Sequence, residues 1–284
     1  GDCRKTLLEL EDASVQCCIT SPPYWGLRDY GTADWEGGDE NCDHKEKELR
    51  NDTAEKWQSM EETDGFQYRD VCQKCGAKRV DSQLGLEPTP EEYVENMVKV
   101  FSQVRRVLKD DGTLWLNLGD SYATGKNLVG IPWRVAFALQ ADGWYLRQDI
   151  VWNKPNPIPE SVQDRCTKSH EYVFLLSKRP KYYYDADAIS EEGEEGQRNK
   201  RSVWTVNTKP YKDAHFAVFP TKLITPCVLA GTKAGDVILD PFGGSGTTGK
   251  VAIENGRKAI LCELNPEYTK LIEKRTTTTM GFGF

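Results

Sequence analysis

The sequence predicts an α/β fold with a mostly parallel sheet, and three observations predict it. Short apolar runs alternate with segments of helical periodicity along the chain. Two of those runs end in special turns: Val15–Thr20 leads into Ser21-Pro22-Pro23-Tyr24-Trp25, and Val237–Asp240 leads into Pro241-Phe242-Gly243-Gly244-Ser245-Gly246-Thr247-Thr248-Gly249. With 284 residues, 38% of them hydrophobic, the chain is long enough to bury a full core, as one large domain or one domain with an insertion.

Taken in order, the chain opens on Gly1-Asp2-Cys3-Arg4-Lys5 and passes straight into a periodic segment, so no secretory leader is expected. The first strand is Val15–Thr20. A helix is expected over 90–108, where Tyr93, Met97, Val100, Phe101, Val104, Val107 and Leu108 recur at helical spacing. Thr89 is its natural N-cap, and Glu91 and Glu92 stand in the first turn, where the helix dipole favours acids. Strands follow over 113–118, 145–152 and 172–176, helices over 131–140 and 221–230, and strands over Val237–Asp240 and 259–262. Segment 31–86 breaks the pattern. It is polar, with metal-like residues at both ends, and reads as an insertion into a main domain made of 1–30 and 87–284. Segment 189–214 is expected to be irregular, and the low-complexity tail 276–284 to fray.

Bulk composition narrows the function classes. No apolar stretch approaches the ~18 residues of a membrane helix, so no membrane partner is expected. Nine cysteines, an odd number in a chain too large to need disulfide staples, point to a reducing, cytoplasmic setting. The net charge of −7 argues mildly against a nucleic-acid partner. Charge is segregated, however: Glu191 to Glu195 is acidic, and Arg198, Lys200, Arg201, Lys209 and Lys212 follow at once.

The glycine-rich turn reads as a nucleotide-type cofactor site. Its glycines let backbone turn sharply and approach a ligand. A helix starting near Thr247 would offer free N–H groups to an anion such as the carboxylate of a methionine moiety. About twenty residues on, a strand ends at Glu263, placed like the acids that accept from ribose hydroxyls. A P-loop competes, since Gly244 to Lys250 fits that spacing. Val251 then stands where a magnesium-binding Ser or Thr belongs, and too little chain follows for an NTPase.

The Ser-Pro-Pro-Tyr turn reads as a rigid rim. Two prolines lock φ and remove two N–H donors, leaving outward carbonyls. An amino group on a base could donate to the Pro22 carbonyl and to the Ser21 hydroxyl, which would aim its lone pair at a sulfonium methyl. Tyr24 would stack on a flipped base and Trp25 would extend that wall. Ser21, Pro22, Pro23 and Tyr24 are therefore the candidate catalytic residues.

In the insertion, Cys42-x-His44 and Cys72-x-x-Cys75-Gly76 supply four soft ligands in two close pairs, the set that a tetrahedral structural zinc takes. The metal would supply folding energy that this polar segment lacks. The other cysteines, Cys3, Cys17, Cys18, Cys166, Cys227 and Cys262, are expected to be small buried residues.

With both turns in hand, the chain resembles the amino-methylating DNA methyltransferases of the β-type motif order, in which the catalytic motif precedes the cofactor motif. The resemblance covers most of the chain. It implies a Rossmann-like S-adenosylmethionine-dependent methyltransferase fold, here with a small zinc-binding insertion. Gly1-Asp2-Cys3 is similar to the family's segment near the cofactor adenine, and Ile19-Thr20-Ser21-Pro22-Pro23-Tyr24 to the signature of its cytosine-N4 branch. The adenine-N6 branch more often carries Asp in place of Ser21. Ile150 to Pro157 with Lys168-Ser169-His170-Glu171 resembles the strand and loop that support the target-base pocket, and Phe216 to Pro220 the motif closing over the methionine end.

The expectation is a site-specific DNA methyltransferase acting on cytosine N4 in duplex DNA, in a prokaryotic or phage-infected cell. S-adenosylmethionine would be held by Asp2, Thr20, Phe219, Asp240, Phe242, Gly243, Ser245, Gly246, Thr247 and Glu263. DNA would be met by Trp25, Lys168, His170, Arg198, Lys200, Arg201, Trp204 and Lys209, with a target-recognition segment over 185–215. The alternatives are adenine N6, an RNA or protein-amide substrate, and a catalytically dead zinc-containing DNA-binding module. Monomer and dimer both remain open.

Overall fold

The computed structural model describes residues 1–27, 30, 32–44, 71–208 and 219–280, excluding the side chains of 278–280. Seven strands form the central sheet: β1 (Val15–Thr20), β2 (Leu108–Leu118), β3 (Tyr145–Asn153), β4 (His170–Ser177), β5 (Val203–Thr205), β6 (Val237–Asp240) and β7 (Lys258–Leu261). Their spatial order is β5-β3-β4-β2-β1-β6-β7. All neighbouring pairs are parallel except the two made by β4, which runs antiparallel to both β2 and β3.

Every residue of β1 is buried, as a central strand covered on both faces requires. Helices α1 (Cys3–Glu9), α2 (Pro90–Val107) and α3 (Ile131–Ala141) cover one face, joining Leu7, Phe101 and Val135 to Cys18, Leu116 and Phe174 of the sheet. Helices α4 (Thr221–Gly231) and α5 (Thr247–Glu254) cover the other, packing Leu223 and Val251 on Cys17, Ile19 and Trp115. α6 (Pro266–Met280) lies against α5. No described helix is long and apolar enough to cross a membrane.

α2 follows its sequence signals. Thr89 accepts from Glu92 N at 3.2 Å, and Glu91, Glu92, Arg105 and Arg106 occupy the turns that the dipole favours. The other expected elements lie within a few residues of their places, except at the start of β2. There the pairing of β1 jumps from Val15–Leu108 to Cys17–Thr113, ejecting residues 109–112 before the regular ladder begins at Thr113.

Two expectations need correction. The tail does not fray at 276, because α6 continues to Met280: packing on α5 outweighs the weak helix propensity of four consecutive threonines. Residues 203–205 are not irregular but form edge strand β5, too short to show a period. Just before it, Glu191–Gly193 and Gly196–Arg198 pair as a hairpin. The described ends of the 31–86 segment pair as a short antiparallel ladder, Asp34–Glu36 with Lys78–Val80.

Candidate active site

The last residues of parallel strands gather at one rim of the sheet, and the two special turns meet there because β1 and β6 are neighbours. Thr20, last in β1, donates from Oγ1 to Asp240 Oδ1 at 2.5 Å, and Thr248 of α5 donates to Asp240 Oδ2 at 2.6 Å. Phe242 N completes the set at 3.0 Å. Asp240 is 1% exposed. Burial pushes its pKa up to about 6, against the pull of those three hydrogen bonds. Its carboxylate is thus a fastener between the two turns.

The glycine-rich turn is shaped by backbone. Gly246 N-caps α5 at φ +80, a conformation that β-carbons disfavour. At Gly244 a Cβ would meet nothing closer than Phe242 O at 3.9 Å, so this peptide has an open face. Glu263 reaches back over the turn, accepting Gly244 N at 2.7 Å and Asn265 N at 2.8 Å. Burial raises the Glu263 pKa, against the two N–H groups it accepts. Asp2 N-caps α1 and is clamped by Arg4. Burial, then the Asp240 carboxylate, pushes the Cys262 thiol up to about 11, and Gly1 N donates to Glu263 O at 2.7 Å, which brings the residue before Asp2 to the end of β7.

Ser245 and Thr247 are buried and face α6. Arg275 Nη1 donates to Ser245 O at 2.9 Å, Ser245 Oγ at 2.7 Å and Thr247 Oγ1 at 3.2 Å. Phe242 and Phe219 are half-buried, on opposite faces of the sheet.

The Ser-Pro-Pro-Tyr turn is braced from far away in sequence. Tyr93 of α2 donates to Pro23 O at 2.8 Å. That corrects the expectation of two free proline carbonyls: among the described residues no donor meets Pro22 O, but Pro23 O is taken. Tyr24 lays its ring against Gly119, where a Cβ would lie 2.5 Å from Cε2. Its hydroxyl donates to Glu171 Oε2 at 2.8 Å and lies 3.3 Å from Asn117 Oδ1, while Ser21 Oγ donates to it at 3.3 Å. Burial, then the Glu171 carboxylate, raises the Tyr24 pKa well above its ordinary value. Trp25 donates from Nε1 to Glu87 O at 2.8 Å.

The expected DNA-facing residues separate. Arg198, Lys200 and Arg201 stand together around Glu191, which offsets only part of their charge. Trp204 is a correction: it is 5% exposed, packs 6.4 Å from Trp115 between ring centroids and donates to Arg201 O, so it cannot stack on a base. Lys168 faces Asp120 at 3.8 Å, and burial lowers its pKa. His170 stands edge-on to Tyr172. Lys209 lies outside the described residues, as do 216–218 of the expected closing motif. Cys166 is exposed rather than buried.

Cys42, His44, Cys72 and Cys75 converge with all four ligand atoms within 4.8 Å of one another. Cys42 Sγ is 3.8 Å from Cys72 Sγ, and Cys75 Sγ is 3.5 Å from His44 Nδ1. Those are the edges of a tetrahedron about a cation with metal–sulfur bonds of about 2.3 Å and a metal–nitrogen bond of about 2.0 Å. Gly76 N donates to Cys72 O at 2.8 Å, closing the knuckle, and Trp35 stacks on His44 at 4.5 Å. Backbone groups of Asp39 and Ala77 pull the Cys75 thiol down to about 6, toward the thiolate a metal takes.

The sequence assigned no site role to Asn117, Tyr93 or Arg275, and named Lys154 and Glu171 only as part of the stretch resembling the support of the target-base pocket. Tyr93 was one apolar position of α2, yet a buried tyrosine hydroxyl needs a partner, and that was the available signal.

The family model N6_N4_Mtase, described as a DNA methylase, matches residues 15–274. Among curated proteins, the type II methyltransferase M.Cfr9I of Citrobacter freundii is 44% identical over 304 residues, covering 97% of this chain and 85% of its own. M.SmaI of Serratia marcescens is 42% identical over 306 residues, covering 97% and 88%. Among solved structures, the PvuII DNA methyltransferase (cytosine-N4-specific) superposes with a TM-score of 0.69 at 21% identity, covering 99% of this chain and 88% of that one. A putative DNA modification methylase of Thermus thermophilus, complexed with S-adenosyl-L-methionine, gives 0.62 at 23% identity, covering 100% and 95%.

Proposed function

The chain belongs to the N6_N4_Mtase family of DNA methylases, and from that premise we propose that it transfers a methyl group from S-adenosylmethionine to cytosine N4 at a specific site in duplex DNA. The observation that carries this reading is the Thr20–Asp240 fastener, which ties together the two strand ends from which the Ser-Pro-Pro-Tyr turn and the glycine-rich turn depart. Ser21, in place of the Asp more often found in adenine enzymes, favours cytosine. So does the likeness to the cytosine-N4-specific PvuII enzyme. The similarity to M.Cfr9I and M.SmaI supports a type II, restriction-associated role.

S-adenosylmethionine, when bound, supplies an electrophilic methyl on a positive sulfur. The residues present fit it: open space on the side-chain face of Gly244 beside the start of α5, with Glu263 over that turn and Gly1, next to Asp2, hydrogen-bonded to Glu263 O. Pro22 O and Ser21 Oγ accept the two N–H bonds of the exocyclic amine. Its lone pair then leaves conjugation with the ring and points across the fastener. The Tyr24 ring flanks the extruded base, and positioning supplies most of the acceleration. Arg198, Lys200 and Arg201 suit phosphate contacts on the recognition side.

Incubation with unmodified duplex DNA and S-adenosylmethionine, followed by nucleoside mass spectrometry, tests the reading. N4-methylcytosine is expected. N6-methyladenine would keep the mechanism and overturn the reading of Ser21, and no methylated nucleoside would overturn both.

The Cys42, His44, Cys72 and Cys75 cluster is read as a structural zinc site, its ligand set filled by protein. Native mass spectrometry should find one zinc per chain, absent in Cys72→Ser. A metal-free wild type with unchanged protease resistance across 31–86 would sink the assignment.

A further inference from the structure

Behind the catalytic turn lies a set of buried polar side chains that the methyl-transfer reading leaves unused. Glu171 Oε2 accepts from Tyr24 Oη at 2.8 Å and from Asn117 Nδ2 at 3.1 Å. The other oxygen of Glu171 is met by Lys154 Nζ, which also lies 4.4 Å from the centroid of the Trp152 ring. The side chains of this ion pair are only 17% and 16% exposed. Asn117 is itself held by Tyr172 O at 3.0 Å.

A buried ion pair adds little net stability, because desolvation offsets most of its attraction. Here it has a geometric use. Glu171 is second in β4, Asn117 next to last in β2, and Lys154 directly follows β3, so three strands of fixed register converge on one phenol. Tyr24 sits on a turn without regular secondary structure. Its ring has Gly119 behind it, but its hydroxyl is the handle that selects one position on that surface.

We propose that Glu171, set by Lys154 and Asn117, is a positioning residue that fixes the Tyr24 ring against which the target base stacks. The proposal rests on the methyl-transfer reading for what Tyr24 faces. Its consequence is specific. The base plane sets the angle between the amine lone pair and the methyl, and a displacement of about 1 Å there costs on the order of 100-fold in rate. The cofactor is held on the other turn, so its affinity should not change.

The test is a mutant cycle on the full chain with unmodified plasmid DNA, reading S-adenosylmethionine Kd, thermal midpoint, and kcat and KM for DNA. Glu171→Ala should lower kcat on the order of 100-fold while cofactor Kd stays within about twofold. Tyr24→Phe, which keeps the ring and loses the handle, should show a comparable loss, and the double variant should be no worse than either single variant. Glu171→Gln retains an oxygen for Tyr24 and should recover most of the activity. Full kcat in Glu171→Ala, losses that multiply in the double variant, or a parallel loss of cofactor affinity would each overturn the proposal. If Glu171→Ala does not fold, Tyr24→Phe decides, and full kcat there overturns it. A wild type that yields no methylated nucleoside fails differently, since it removes the methyl-transfer reading and this proposal with it.

Discussion

Apart from Thr20, 220 residues away, the glycine-rich turn after β6 takes its partners from nearby in the chain. Asp240 is met by Thr248, eight residues on, and Gly244 by Glu263, nineteen residues on. The Ser-Pro-Pro-Tyr turn after β1 takes its partners from far away: Pro23 from Tyr93, 70 residues on, and Tyr24 from Asn117 and Glu171, 93 and 147 residues on. One turn is a local backbone device, and the other is a surface assembled by the sheet. Damage to the first should therefore fall on cofactor binding, and damage to the second on turnover.

The largest expected effect is Gly243→Asp. A Cβ there meets Cys262 O at 3.2 Å and Leu261 Cβ at 3.2 Å, and the new carboxylate stands near Glu263. Calorimetry should find S-adenosylmethionine binding lost; binding at wild-type affinity would break the comparison on the cofactor side. Tyr24→Ala probes the other side. It should cut turnover at least about 100-fold with cofactor affinity kept, and normal turnover would remove Tyr24 from the machinery.

A subtler effect is expected at the fastener. The folded pKa of Asp240, about 6, lies above its unfolded value of 3.8. Its contribution to stability is therefore fully present below pH 3.8 and is lost as pH rises through 6. On going from pH 6 to pH 4, wild type should gain roughly 2 kcal/mol relative to Asp240→Asn in denaturant titrations. Parallel curves would show that the carboxylate is not buried as described. The smallest effect belongs to Arg275, which holds the glycine turn from outside. Arg275→Ala should raise KM for the cofactor about fivefold, the net worth of one ordinary hydrogen bond, at unchanged saturated rate. A fall in that rate would blur the division between the turns.

The sites differ in legibility for the same reason. Cys42, His44, Cys72 and Cys75 were legible as one cluster because soft donors in close pairs have few uses besides a metal. The glycine turn was legible because four glycines within seven residues have few uses besides close approach. Trp204 was misread because an aromatic beside lysines and arginines suits DNA stacking and core packing equally, and only its neighbour Trp115 decides. Arg275 was missed because a threonine-rich tail carries a weak helix signal, while its docking on α5 is tertiary.

By itself the sequence determined the α/β alternation, both turns, the order of the motifs and the members of the Cys/His cluster, since each rests on periodicity, backbone restriction or donor chemistry that short segments carry. Tertiary structure alone decided which side chains stand behind Tyr24. β4 runs against its neighbours, so its first residues reach the rim where the parallel strands deliver their last. Glu171 arrives there by strand direction, a property that no local pattern in the chain encodes.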